Sequence, residues 1–192
     1  MTTTQLPFQR SAMLIGGLLL GLAVAAASVL TASPTAEADD PPQIHAVALT
    51  TPSEHNEFTD DVAVQVRDKP DGRSTEVVNL RDASNIAVFE FTIEPGAWFH
   101  WHTHPGPVLA AVAEGDLVFI YADDCVERAY NEGDAFVDPG VVHTAYNPGE
   151  EETTVIATVL GVAEGAPPAT PVPPAEGEAL NEACGTEAPT EH

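Results

Sequence analysis

The stretch Pro95-Gly-Ala-Trp-Phe-His100-Trp-His102-Thr-His104-Pro-Gly-Pro-Val108 decides how the rest of the chain is read. Its three histidines fall at i, i+2 and i+4. Side chains alternate faces along a strand, so His100, His102 and His104 would share one face, with Trp98 at the same parity. Imidazole nitrogens gathered on one face are donors for a divalent transition metal. A second stretch, Gly133-Asp-Ala-Phe-Val-Asp138-Pro139-Gly140-Val-Val-His143-Thr-Ala-Tyr-Asn147, adds one more histidine just after a Pro-Gly turn. Four of the seven histidines thus lie in two segments, whereas His45, His55 and His192 have no partner nearby in sequence. Asp138 reads either as the residue that initiates the turn or as the hydrogen-bonding partner of a ligand histidine.

Outward from these segments the chain reads as strand after strand. The candidates are 45–49, 62–67, 76–80, 86–93, 108–113, 117–121, 126–130, 142–146 and 153–160, short and rich in Val, Ile, Phe, Thr and Tyr. Turn signals separate them, among them Pro70-Asp71-Gly72, Glu114-Gly115-Asp116, Asn131-Glu132-Gly133 and Asn147-Pro148-Gly149. Regular spacing of this kind is that of an antiparallel sandwich or barrel, and no apolar run here keeps a helical period. The expected fold class is all-β with little helix.

The two segments resemble the two motifs of the cupin family. Gly96, His102, His104 and Gly115 fall at the places of the first motif; Gly133, Pro139, Gly140, His143 and Asn147 follow the second, with one residue missing between Pro139 and Gly140. The resemblance covers 46–162 and implies a single jelly-roll β-barrel whose two motifs form neighbouring hairpins with their histidines converging inside. It implies His102, His104 and His143 as metal ligands. The family's metal-binding glutamate belongs at position 108 or 109, where this chain has Val108 and Leu109. The fourth position is then open, filled by water, or taken by His100, an idea that rests on strand parity alone; the alternative for His100 is an unligated histidine at the pocket rim. Iron, manganese, zinc, copper and nickel all accept imidazole ligands, and the sequence does not choose among them. A metal-free barrel with hydrogen-bonded histidines is the competing reading. Val108, Ala110 and Val112 would form an apolar wall, which with Trp98 and Asn147 makes a candidate ligand pocket.

Charge and the chain ends bound the rest. With 6 Lys+Arg against 30 Asp+Glu the formal net charge is −24, which argues against nucleic acid or an anionic membrane surface as partner. Residues 1–38 read as a signal peptide or N-terminal anchor. Arg10 precedes the nearly apolar stretch Ala12–Leu30, and Ala36-Glu37-Ala38 fits a signal-peptidase site. Membrane association would follow only if that segment were retained. Export agrees with an even cysteine count, read as a disulfide between Cys125 and Cys184; two free thiols are the alternative. Residues 39–45 read as a linker and 163–192, rich in Pro, Ala, Glu and Thr, as a disordered acidic tail. The acidic residues Asp116, Asp123, Asp124, Glu127, Glu132, Asp134 and Asp138 read as a solvated face rather than a calcium site, since they lack EF-hand spacing.

No nucleophile elbow, phosphate loop or Cys-His pairing appears, so catalytic residues are not assignable from sequence. Two functions remain. One is an exported barrel that binds a small molecule beside a three-histidine divalent-metal site. The other is a metal-dependent enzyme of the cupin kind, an oxygenase or isomerase acting on a small organic substrate. Cupins often pair through sheet edges, which would make a homodimer.

Overall fold

Alternation of apolar and polar residues along short β-rich segments sets up two sheets that bury one face each. The computed structural model describes residues 41–50, 56–70 and 72–190. The leader over 1–38, residues 39–40 of the linker, His55, Asp71 and His192 lie outside them. Among the described residues the strands are β1 (Ile44–Ala48), β2 (Asn56–Glu57), β3 (Val64–Asp68), β4 (Glu76–Leu80), β5 (Asn85–Ile93), β6 (His102–Thr103), β7 (Val108–Glu114) and β8 (Asp116–Tyr121). They continue with β9 (Glu127–Asn131), β10 (Ala135–Asp138), β11 (His143–Tyr146), β12 (Thr153–Leu160) and β13 (Thr170–Pro171), before one helix, α1 (Pro174–Cys184).

One sheet runs β1-β5-β12-β7-β10, with β2 beside β5; the other runs β13-β6-β11-β8-β9, and all pairings are antiparallel. Every second residue of β7 and β12 points inward. Ile93, Ala110, Val112 and Val155 of the first sheet share one buried cluster with Leu117, Phe119, Tyr121 and Ala145 of the second. The sheets therefore pack face to face as a jelly-roll sandwich. Burying a side chain the size of Ile93 or Phe119 contributes about 1.5–3 kcal/mol.

β3 and β4 pair only with each other. Arg73, in the turn between them, binds Glu76 and Asp123 and lies 3.0 Å from Asp124, its guanidinium 4.3 Å above the Tyr121 ring. Arg128 reaches the same Asp124 at 2.7 Å. Its hydrogen bond is the chief reason that the Asp124 carboxyl is held down at about 2. Asp123 and Asp124, expected on a solvated face, instead tie this hairpin to the β8–β9 turn.

The chain end departs most from the sequence reading. Rather than a disordered tail, residues 170–188 form β13 and α1 and cover the outer face of the second sheet. There Trp101, Val118, Ile120, Val172 and Ala188 make a buried cluster with Leu180 and Cys184 packed on it. The helix has Pro174 at its start, where the missing N–H costs nothing, and ends at Gly185 in the left-handed conformation (φ 68°). Asn181 holds the turn that follows: its side chain accepts from Trp101 Nε1–H at 2.8 Å and from the Thr186 hydroxyl at 2.7 Å, and donates to the Ala188 carbonyl at 2.7 Å. Cys184 is bonded to Cys125, closing a separation of 59 residues. The linker is also shorter than expected, since Ile44 and His45 already belong to β1.

Candidate metal centre and its cavity

β6 and β11 position the site. They are hydrogen-bonded neighbours in which His143 stands directly opposite His102. His104 follows after one residue, its backbone N–H donating to the Gly140 carbonyl at 3.2 Å. The turn can come this close because residue 140 is glycine: at φ 89° a Cβ would sit 2.8 Å from the Gly106 carbonyl oxygen. One ring nitrogen from each of His102, His104 and His143 lies within 4.8 Å of one from each of the others.

The tautomers are set by backbone carbonyls. His102 Nδ1–H donates to His100 O at 2.6 Å, His104 Nδ1–H to Pro168 O at 2.8 Å and His143 Nδ1–H to Val141 O at 2.8 Å. Each ring is left with its lone pair on Nε2, the arrangement that metal-binding histidines require. The Phe119 ring stacks on His143 at 4.5 Å and holds its plane. Burial, reinforced by the neighbouring His104, pushes His143 down to about 3; burial, with His143 and His104 as neighbours, also holds His102 well below the usual value. Both rings are neutral donors at neutral pH.

The histidines border a cavity of about 340 Å³, walled by Phe89, Phe91, Phe99, Phe119 and Phe136 together with Val108 and Ala110. Pro168, Ala169 and Pro171, from the segment read as tail, close part of it. Asp138, expected with the acidic residues of a solvated face, is instead on the wall and only 2% exposed, because the Pro-Gly turn carries it between the sheets. Its Oδ1 accepts the Gly140 N–H at 2.8 Å, while burial raises its carboxyl to about 6. The donor set fits a divalent cation, which such neutral ligands would leave as a strong Lewis acid.

Several expected pocket residues stand elsewhere. Trp98 packs flat on Tyr146, ring centroids 3.9 Å apart, and does not line the cavity. Val112 is buried in the inter-sheet core rather than on the wall. Asn147 is fully buried and serves the backbone, donating to Ile93 O at 2.9 Å and Glu151 O at 2.7 Å. His100 borders the cavity but lies outside the three-histidine group, and its Nδ1–H donates to Pro189 O at 3.0 Å. Strand parity does not reach His100 because residues 99–101 are not a strand; only His102 and Thr103 belong to β6. The phenylalanine wall was missed, although the inward parity of Phe89 and Phe91 with Ile93 on one strand was its signal.

The family model described as the cupin domain matches residues 89–159. A comparison with curated proteins finds no match. Among solved structures, a cupin-like protein of Thermotoga maritima is 30% identical over 45% of this chain and 64% of its own, with a TM-score of 0.40. A sugar phosphate isomerase of the cupin superfamily from Silicibacter pomeroyi is 26% identical over 38% and 48%, with a TM-score of 0.35. An oxalate decarboxylase of Bacillus subtilis with Mn(II) centres is 28% identical over 38% and 21%, with a TM-score of 0.34. The chain spans less than two thirds of the length of each. Residues 89–159, which contain the three-histidine group, are thus a cupin domain.

Proposed function

We propose that this chain is an exported cupin that holds a divalent transition metal on His102, His104 and His143 and binds a small, largely apolar organic molecule in the adjoining cavity. The observation that carries the reading is the convergence of three carbonyl-oriented imidazoles at the edge of a phenylalanine-walled cavity. The metal would supply Lewis acidity and a binding point for one polar group of the ligand. The aromatic wall would orient the remainder and exclude water. The disulfide between Cys125 and Cys184 supports an oxidising compartment, in agreement with a cleaved leader over 1–38. Turnover by an oxygenase or isomerase is the second reading, favoured by the buried Asp138 carboxylate on the same wall.

The test is elemental analysis of untagged protein beside a His102→Ala/His143→Ala variant, followed by thermal-shift and oxygen-uptake screens with small aromatic and sugar-derived compounds. One equivalent of metal in the wild type, absent from the variant, supports the site. No metal in either sample after reconstitution overturns it. Oxygen uptake or product formation moves the assignment from binding to catalysis.

A further inference from the structure

We infer that Asp138 is the fourth protein ligand of this metal, making the site three imidazoles and one carboxylate; the inference rests on the metal reading above. The turn explains only half of this side chain. Oδ1 takes the Gly140 N–H at 2.8 Å, as an aspartate before Pro-Gly ordinarily does. Oδ2 is buried and has no hydrogen-bond partner among the described residues. A carboxylate oxygen stripped of water and left unpaired costs several kcal/mol, so such an atom in a folded protein calls for a counter-charge.

The surroundings say where that charge sits. Oδ2 lies 3.6 Å from His104 Nε2 and 3.5 Å from His143 Nδ1. His143 has already given its Nδ1–H to Val141 O at 2.8 Å, and His104 has given its own to Pro168 O at 2.8 Å. His104 Nε2 and Asp138 Oδ2 thus stand 3.6 Å apart with no hydrogen bond between them, a gap that a cation bound to both would bridge. The same Nε2 belongs to a residue of the three-histidine group. Three neutral imidazoles would otherwise leave a doubly charged ion uncompensated in an apolar cavity, and one carboxylate offsets half of that charge.

Strand register places the carboxylate on the appropriate wall. β10 pairs with β7 so that Asp138 stands opposite Val108. Directly opposed residues of an antiparallel pair share a face and lie about 4.5–5.5 Å apart at Cβ. Position 108 carries no carboxylate, and the strand beside it supplies one across the ladder.

The experiment uses the full chain, its Asp138→Asn variant and the double variant Asp138→Asn/Val108→Glu, titrated with Mn(II) by calorimetry and followed by Mn(II) electron paramagnetic resonance. Thermal melting of the metal-free proteins shows that each is folded. Asparagine keeps the volume and the Oδ1 acceptor for Gly140 and exchanges the anionic oxygen for an uncharged amide nitrogen, which does not ligate a hard cation. The expected result is affinity weakened about 100-fold in Asp138→Asn, at the upper end of what loss of even an outer partner costs, with an altered resonance spectrum. Recovery of at least tenfold in the double variant would show that a carboxylate from the facing strand substitutes for it. Wild-type affinity and spectrum in Asp138→Asn overturn the inference while leaving the three-histidine site intact. A wild-type chain that binds no Mn(II), Zn(II) or Fe(II) overturns both.

Discussion

His102 and His143 are register partners: the two residues oppose each other on β6 and β11, and their ring centroids lie 4.2 Å apart. Two histidines far apart in sequence are thereby made neighbours by a single backbone pairing, and the site depends on that pairing as much as on the rings. If the pair binds metal, saturating metal at 100 times Kd should stabilise the native protein by about 2.7 kcal/mol. For a domain of this size that is a rise in Tm of about 5–10 °C. His102→Ala and His143→Ala should each show no rise in the same scan. An equal rise in wild type and variants would place the metal elsewhere.

Metal-free protein should lose stability on acidification. His143 and His102 are kept neutral in the fold, the former near 3, whereas in the unfolded chain both take up protons near 6.5. Below about 6.5 the unfolded state therefore binds more protons, and stability falls with pH by up to about 1.4 kcal/mol per unit for each histidine. Asp138 acts in the opposite direction from about 6 down to its unfolded value of 3.8, because the fold binds its proton more tightly. The net slope therefore grows between pH 7 and 6 and then stays near the value of one histidine, about 1.4 kcal/mol per unit, down to about pH 4. Urea midpoints at pH 7, 6 and 5 check this, and a midpoint that rises through that range would mean the rings are charged in the fold.

The disulfide should stabilise the whole fold through the unfolded chain and hold the chain end in place besides. A crosslink over 59 residues contributes on the order of 3–4 kcal/mol. Cys125→Ser/Cys184→Ser should lose about that much stability in urea unfolding. Hydrogen exchange should show the largest acceleration over 174–184, beyond that of β5 and β12. Acceleration of the same size in all three would mean that the bridge does not hold the chain end selectively.

Gly140→Ala should damage the site through the backbone. The added Cβ would sit 2.8 Å from Gly106 O and 3.1 Å from His104 O, in a left-handed conformation that alanine resists. We expect a loss of about 2 kcal/mol or more, with weaker metal binding because the turn that receives the His104 N–H must shift. Denaturant unfolding and metal titration of one sample test both effects, and a loss below about 0.5 kcal/mol would show that the turn absorbs the methyl group.

Strand positions were legible in the sequence because they depend on near neighbours. The expectations for 76–80 and 153–160 coincide with β4 and β12, since β-branched alternation ending at turn residues is a local signal. β10 was missed: Ala135–Asp138 is four residues long and closes on a Pro-Gly turn, too short for a pattern. The ordered chain end had a signal that composition masked. Leu117–Tyr121 is an unbroken apolar run, which means a strand buried on both faces and therefore a cover for the outer one.

By itself the sequence determined the all-β class, the approximate positions of the longer strands and the presence of four histidines in two motif-like segments, because these follow from residue type and spacing. Only the tertiary structure decided what those residues face. It paired His102 with His143, turned Trp98 onto Tyr146, laid α1 over Trp101, and left one oxygen of Asp138 buried beside His104. Such relations arise when distant segments compete for the same buried space and the same hydrogen-bond partners, and no local pattern encodes the outcome.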